Sequence, residues 1–235
     1  MLLFRDMNPG SIENLKTVLV TGASGVLGKA VVEKYLAQGS QVIALDRKTH
    51  AGSSAQIQWL EVNLDQPADV KAKLSPLADR VEGIIHCAGG FRFAKAHEIS
   101  DQDLDFLINS NLKSAFYLVR EILPAMFKKK AGRIVFVSSA VTVRGPGTGM
   151  AGYAASKAGL NMLVSALADE VRDTAITVNA VLPTVIDTPS NRKDMPNVNF
   201  EAWVKPEELA EVIFNLTGKT ARPIHGALIP VTGRL

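Results

Sequence analysis

The chain has 235 residues, 47% of them hydrophobic, enough to bury a sizeable core within one domain. Its net charge of +3 is scattered, and the one basic run, Lys128 to Lys130, closes an apolar helical pattern where cations suit the helix dipole, which argues against a nucleic-acid surface. The single cysteine, Cys87, excludes an internal disulfide and fits a reducing cytoplasm, while His50, His86, His97 and His225 lack metal-ligand spacing, so no metal is expected.

Residues 1–16 open with MLLFRDMNPG, whose apolar patch is cut by Arg5 and Asp6. It is too short for a secretory leader core or a membrane span and reads as an arm before the first strand. Strand-like runs and helical patterns then alternate: TVLV (17–20), a helix over 26–38, QVIAL (41–45), IQWLEV (57–62), a helix over 67–79, GIIHC (83–87), a helix over 101–129, RIVFV (133–137), a helix over 151–173, ITVNAVL (176–182), a helix over 206–217 and ALIPV (227–231). The strand runs are continuously apolar, as strands covered on both faces require, so the chain is expected to form one α/β domain over 1–235: a parallel seven-stranded sheet with helices on both faces. Pro206 followed by Glu207 and Glu208 suits a helix start. Residues 184–205 follow neither period and hold two prolines and three asparagines, which reads as a substrate loop or lid. No window has the roughly 18 uninterrupted apolar residues of a membrane span.

Two motifs carry chemistry. In TVLVTGASGVLGKAV, glycines 22, 25 and 28 follow the first strand and open the first helix, where a tight turn lets backbone N–H groups approach a pyrophosphate. Asp46 ends the second strand 18 residues after Gly28, where a carboxylate can hold a ribose 2′-hydroxyl and repel the 2′-phosphate of NADP. NAD(H) is thus preferred, with NADP(H) possible through pairing to Arg47. In GYAASKAGLNMLV (152–164), Tyr153 and Lys157 share a helix face one turn apart, so both side chains can serve one reacting atom.

These features, with CAGG (87–90), Asn111, VSSA (137–140), YAASK (153–157) and NAVLPTVIDT (179–188), resemble the short-chain dehydrogenase/reductase family over residues 17–231. The tract from Ala180 to Trp203 is similar to the quinonoid dihydropteridine reductase branch. Three positions depart from the family pattern. The glycines are spaced G-x-x-G-x-x-G, Asn63 stands where an adenine-contacting Asp is usual, and Thr184 replaces a glycine.

The resemblance implies a single doubly wound Rossmann domain, with a dinucleotide bound along Gly22, Ser24, Gly25, Val26, Leu27, Gly28, Asp46, Arg47, Asn63, Leu64, Ala88, Gly89, Gly90, Pro183, Val185, Ile186 and Thr188. Tyr153 is the proton donor, and Lys157 lowers its pKa and hydrogen-bonds the nicotinamide ribose. Ser139, with Ser138 as alternative, bonds the substrate carbonyl, and Asn111 interrupts the helix 101–129 and organises a water relay through Lys157. The backbone of Val185 and Ile186, with the Thr188 hydroxyl, holds the carboxamide. The expected activity is hydride transfer between nicotinamide and a C=O or C=N centre of a small carbonyl or pterin-like substrate. Dihydropteridine reduction proper is one alternative and a non-catalytic dinucleotide sensor another. The helices 101–129 and 151–173 are candidates for a dimer or tetramer interface; no nucleic-acid or membrane partner is expected.

Overall fold

The apolar runs pair edge to edge because each carries hydrophobic side chains on both faces. The computed structural model describes residues 14–48, 54–145 and 147–234, so nearly all of the expected arm lies outside the described residues. The strands are β1 (Thr17–Thr21), β2 (Gln41–Asp46), β3 (Ile57–Glu61), β4 (Gly83–His86), β5 (Ala131–Val137), β6 (Ala175–Pro183) and β7 (Leu228–Val231). They form one seven-stranded sheet in the order β3-β2-β1-β4-β5-β6-β7, every neighbouring pair parallel. Between them run α1 (Val26–Ala37), α2 (Pro67–Leu74), α3 (Asp101–Ile108), α4 (Ser114–Lys129), α5 (Val141–Arg144), α6 (Ala151–Glu170), α7 (Pro189–Asp194) and α8 (Pro206–Thr217).

Side-chain alternation along each strand divides the core in two. Leu19, Ile43 and Leu45 face α2, α4 and α6, whereas Val18, Val20, Val42 and Ala44 face α1 and α8. Each fully buried Leu or Ile contributes about 1.5–3 kcal/mol by leaving water. Chain order reverses at β1, which lies between β2 and β4, and connections leaving the two sides there open a crevice at the strand C-termini.

Three stretches differ from the sequence reading. The helix expected over 67–79 stops at Leu74 and tightens into a 3₁₀ turn over 75–80, because Pro76 has no N–H to continue the ladder. The helix expected over 101–129 is divided by a π turn, Asn109–Lys113, in which Asn111 is fully buried. The expected irregular loop 184–205 is built instead. Pro189 opens α7, Thr188 Oγ1 accepts the Asn191 N–H at 3.1 Å, and a parallel bridge between Ile186 and Val204 closes the excursion.

Candidate active site

The glycine turn brings backbone to backbone. Gly22 has φ +62°, its carbonyl accepts the Gly25 N–H at 3.0 Å, and a Cβ on Gly28 would lie 2.0 Å from that carbonyl oxygen. Only glycine lets α1 start this close to β1. No side chain caps the α1 N-terminus. Beside it lies a cavity of about 280 Å³. Its wall includes Gly22, Ser24, Gly25, Asp46, Arg47, Asn63, Leu64, Ala88 and Gly89 from the sequence reading, and also Leu45, Val62, Asp65, Cys87, Phe106, Ser110 and Ser114. Val26, Leu27, Gly28, Gly90, Tyr153, Lys157, Pro183, Val185, Ile186 and Thr188 do not line it. A glycine cradle that any Cβ would fill, an uncapped helix N-terminus and an acidic residue at the far wall fit a dinucleotide.

Asp46 is held in place: its Oδ2 accepts the Ser24 hydroxyl at 2.5 Å and the Ser24 N–H at 3.1 Å, and its Oδ1 accepts the Arg47 N–H at 2.7 Å. Asn63 folds its own oxygen back onto the Asp65 N–H at 3.1 Å, while its backbone N–H goes to Asp69 at 2.8 Å.

Tyr153 and Lys157 stand beyond Gly89 and Gly90, on the first turns of α6. The Tyr153 hydroxyl hydrogen-bonds Ser139, whereas Ser138 turns to the Lys157 carbonyl at 3.4 Å. Burial raises the Tyr153 pKa, and the Ser139 bond offsets part of that rise. Lys157 follows one turn further along α6. Its ammonium donates to the Val137 carbonyl at 2.8 Å, and burial among apolar groups lowers its own pKa to about 8. With its pKa raised by burial, the tyrosine keeps its proton, as an acid must before it donates one.

The Asn111 amide is wholly engaged in protein contacts. Oδ1 accepts the Gly90 N–H at 2.9 Å, and Nδ2 donates to the Gly90 carbonyl at 2.9 Å and to Ser156 Oγ at 3.0 Å. A Cβ on Gly89 would fall 2.8 Å from Asn111 Oδ1 and 3.2 Å from Lys157 Nζ, which puts the cavity wall directly against the lysine. The Asn111 side chain thus joins the π turn to α6 and the β4 loop.

Over the far side lies the segment 185–205. Asp187, 8% exposed, takes both Arg192 (2.6 and 2.8 Å) and Lys205 (3.0 Å), so one carboxylate ties the two ends of the excursion together. Those cations hold its carboxyl well below the usual carboxylate range. The sign follows from linkage: the clasp contributes fully above about pH 4 and is lost only as acid protonates the folded carboxyl. Asp187→Asn is expected to speed proteolytic cleavage within 188–203 by about tenfold at pH 7, with global melting nearly unchanged. Limited proteolysis with mass mapping checks this.

Sequence reasoning missed several residues. Phe91 meets the Tyr153 ring edge-on at 5.0 Å between centroids. Phe106, Ser110 and Ser114 share a cavity wall, and their four-residue spacing was a readable signal. His86 and Thr21 lie beneath the wall, with partners too distant in sequence to be inferred. Among the described residues no helix is long and apolar enough to cross a membrane, and no group of His, Cys, Asp or Glu is gathered for a metal.

Comparison with known proteins agrees with this geometry. The pattern of the short chain dehydrogenase family matches residues 16–199. Two similar relatives are 3-oxoacyl-[acyl-carrier-protein] reductases. That of Thermotoga maritima is 32% identical over 94% of this chain and 97% of its own length, and that of Escherichia coli is 32% identical over 93% and 96%. Among solved structures, a short chain dehydrogenase/reductase family oxidoreductase from Burkholderia thailandensis superposes with a TM-score of 0.83 at 28% identity, covering 94% of this chain and 92% of that one. The ligand-free aldohexose dehydrogenase of Thermoplasma acidophilum gives 0.83 at 26% identity, covering 96% and 95%. An acyl-carrier substrate and a sugar on such similar frames show that the fold does not name the substrate. With a glycine turn, an acidic strand end and a Tyr-Lys helix in the places this geometry requires, the chain belongs to the short-chain dehydrogenase/reductase family and is an NAD(P)-dependent oxidoreductase.

Proposed function

We propose that this chain reduces a C=O or C=N centre of a small molecule with NADH, using Tyr153 as the proton donor. The observation that carries the reading is the Tyr153 hydroxyl hydrogen-bonded to Ser139, one helical turn from a buried Lys157 whose ammonium lies against Gly89 of the cavity wall. The nicotinamide supplies the hydride. The chain's own residues do the rest: Tyr153 delivers its proton to the atom gaining negative charge, and the Ser139 hydroxyl, whose one hydrogen turns from the phenol to the substrate, donates to the same atom. Lys157, one turn further along α6, offers a cation that compensates the charge left on the phenol oxygen. Val185, Ile186 and Thr188 form the stem and cap of the lid and hold the carboxamide end. Retention of both Tyr153 and Lys157 argues against a sensor without turnover.

A narrower reading, a quinonoid dihydropterin as substrate, is favoured by Phe91, whose ring stands against Tyr153 and offers a flat apolar wall to a conjugated ring. The acyl-thioester ketones of the similar reductases are the competing class. A panel of 3-oxoacyl thioesters, simple ketones, quinones and quinonoid dihydropterin with NADH and NADPH, compared by kcat/KM, separates them; no turnover of any carbonyl or pterin would refute the catalytic reading. The exposed Phe116 on α4 and Met162 on α6 support pairing of these helices between copies of the chain, as a dimer or tetramer, and the lone Cys87 supports a cytoplasmic location.

The cofactor preference rests on Asp46, whose carboxylate is fixed by Ser24 at the cavity wall and opposes a 2′-phosphate. NADH is expected to bind at least about tenfold more tightly than NADPH, and Asp46→Ala is expected to close most of that gap. Fluorescence titration with both cofactors is the check. Tighter NADPH binding by the unmodified protein would transfer the role to Arg47.

A further inference from the structure

The mechanism above makes no use of His86, which is fully buried at the end of β4 beneath the dinucleotide cavity. Its ring spans two elements: Nδ1 lies 2.9 Å from Thr21 Oγ1 and Nε2 lies 3.3 Å from Ser114 Oγ. The direction of each bond follows from the ends of the series. The Ser110 carbonyl can only accept, and the Ser114 hydroxyl donates to it at 2.7 Å, so Ser114 Oγ must accept a hydrogen from Nε2. A neutral imidazole carries one ring hydrogen. Nδ1 is therefore bare and takes the Thr21 hydroxyl hydrogen, which leaves Thr21 Oγ1 to accept the Ala88 N–H at 3.1 Å. Every donor from Ala88 to Ser110 is thus matched to one acceptor.

Neutrality has a physical cause. Burial lowers the His86 pKa to about 3, and the Lys157 ammonium on α6 adds to the penalty for a second positive charge. An imidazolium would also place a donor on Nδ1 against a hydroxyl already oriented to give, breaking the series at Thr21.

Ala88, Ser110 and Ser114 all line the cavity, and Thr21 precedes Gly22 of the phosphate turn. The imidazole thus braces the wall made by the ends of β1 and β4 against the wall made by the π turn and the start of α4. We propose that His86 is a positioning residue whose Nε2–H imidazole fixes the width of the dinucleotide cavity; the proposal rests on the oxidoreductase reading above.

The test combines a spectrum with a titration. Histidine ¹⁵N NMR of the unmodified protein is expected to show a protonated Nε2 and a bare Nδ1 for His86, unchanged between about pH 5 and pH 9. A hydrogen on Nδ1, or a titration midpoint near the ordinary value of about 6.5, would overturn the proposal. His86→Leu is expected to bind NADH about tenfold more weakly while keeping kcat at saturation within about threefold. His86→Asn can keep the acceptor toward Thr21 and His86→Gln the donor toward Ser114, so each is expected to recover part of the affinity. A folded Leu variant with unchanged NADH affinity overturns the role of His86 alone, whereas an unmodified protein that binds no NADH overturns the functional reading with it. If the Leu variant does not fold, the nitrogen spectrum decides.

Discussion

Tyr153→Phe is expected to lower kcat by about 10²-fold or more while leaving NADH affinity and melting temperature close to those of the unmodified protein. The substitution removes one oxygen from a partly buried ring whose contact with Phe91 is apolar and persists. What is lost is the donor, and with it the Ser139 bond that aims it. No other described acid is bonded to Ser139, so the expected defect lies in the chemical step. Steady-state kinetics with a fluorescence titration of NADH separate the two effects. Near-normal turnover would mean that another group supplies the proton.

Lys157 is expected to behave differently, because it lies against the cavity wall at Gly89 as well as one helical turn from Tyr153. Lys157→Met should weaken NADH binding by about tenfold and lower kcat by about 10²-fold, a joint loss that Tyr153→Phe does not show. Its pH signature is also distinct. The folded pKa is lowered to about 8 from 10.5, so the cation needed for catalysis disappears as pH rises through about 8, and activity should fall over that limb. Stability runs the other way. Between about 8 and 10.5 the unfolded chain binds more protons than the folded one, so this lysine makes stability rise with pH there, a rise the Met variant should lack. Activity and denaturant midpoints measured from pH 6 to about pH 10.5 test both signs together.

The sheet was legible because parallel strands buried on both faces read as unbroken apolar runs, from TVLV to ALIPV, and each lies within two residues of its expected bounds. The cavity was legible where local chain geometry demands a residue type: glycine at 22 and 25, a carboxylate at 46. What stayed hidden depends on contacts distant in sequence. The π turn exists because Asn111 bonds Gly90, 21 residues away, and α7 because Thr188 and Asp187 hold a six-residue stretch with no apolar period. Ser139 could be put before Ser138 by resemblance alone, since both turn toward α6 and only the fold decides which of them meets the Tyr153 phenol. The Val137 carbonyl was hidden for the same reason: spacing put Lys157 near Tyr153, and only the fold supplied the acceptor that takes its ammonium.

The π turn also bears on how this chain can be shortened or aligned. A π turn is one residue more than the helix needs, so deleting a residue within 109–113 would restore regular backbone geometry, and measured by helical regularity alone the shorter chain looks improved. Yet one residue is about 100° of helical rotation, so everything on one side of the deletion would turn relative to the other. If α4 kept its core contacts, Phe106 would leave the cavity wall and Asp103 would leave Arg92, which it now meets at 3.0 Å. The surplus residue works as a phase adjustment between two helices that answer to different neighbours, one to the core and one to the mouth of the site. Alignments that close this gap for the sake of an unbroken helix would therefore pair the wrong residues at the site while looking better everywhere else.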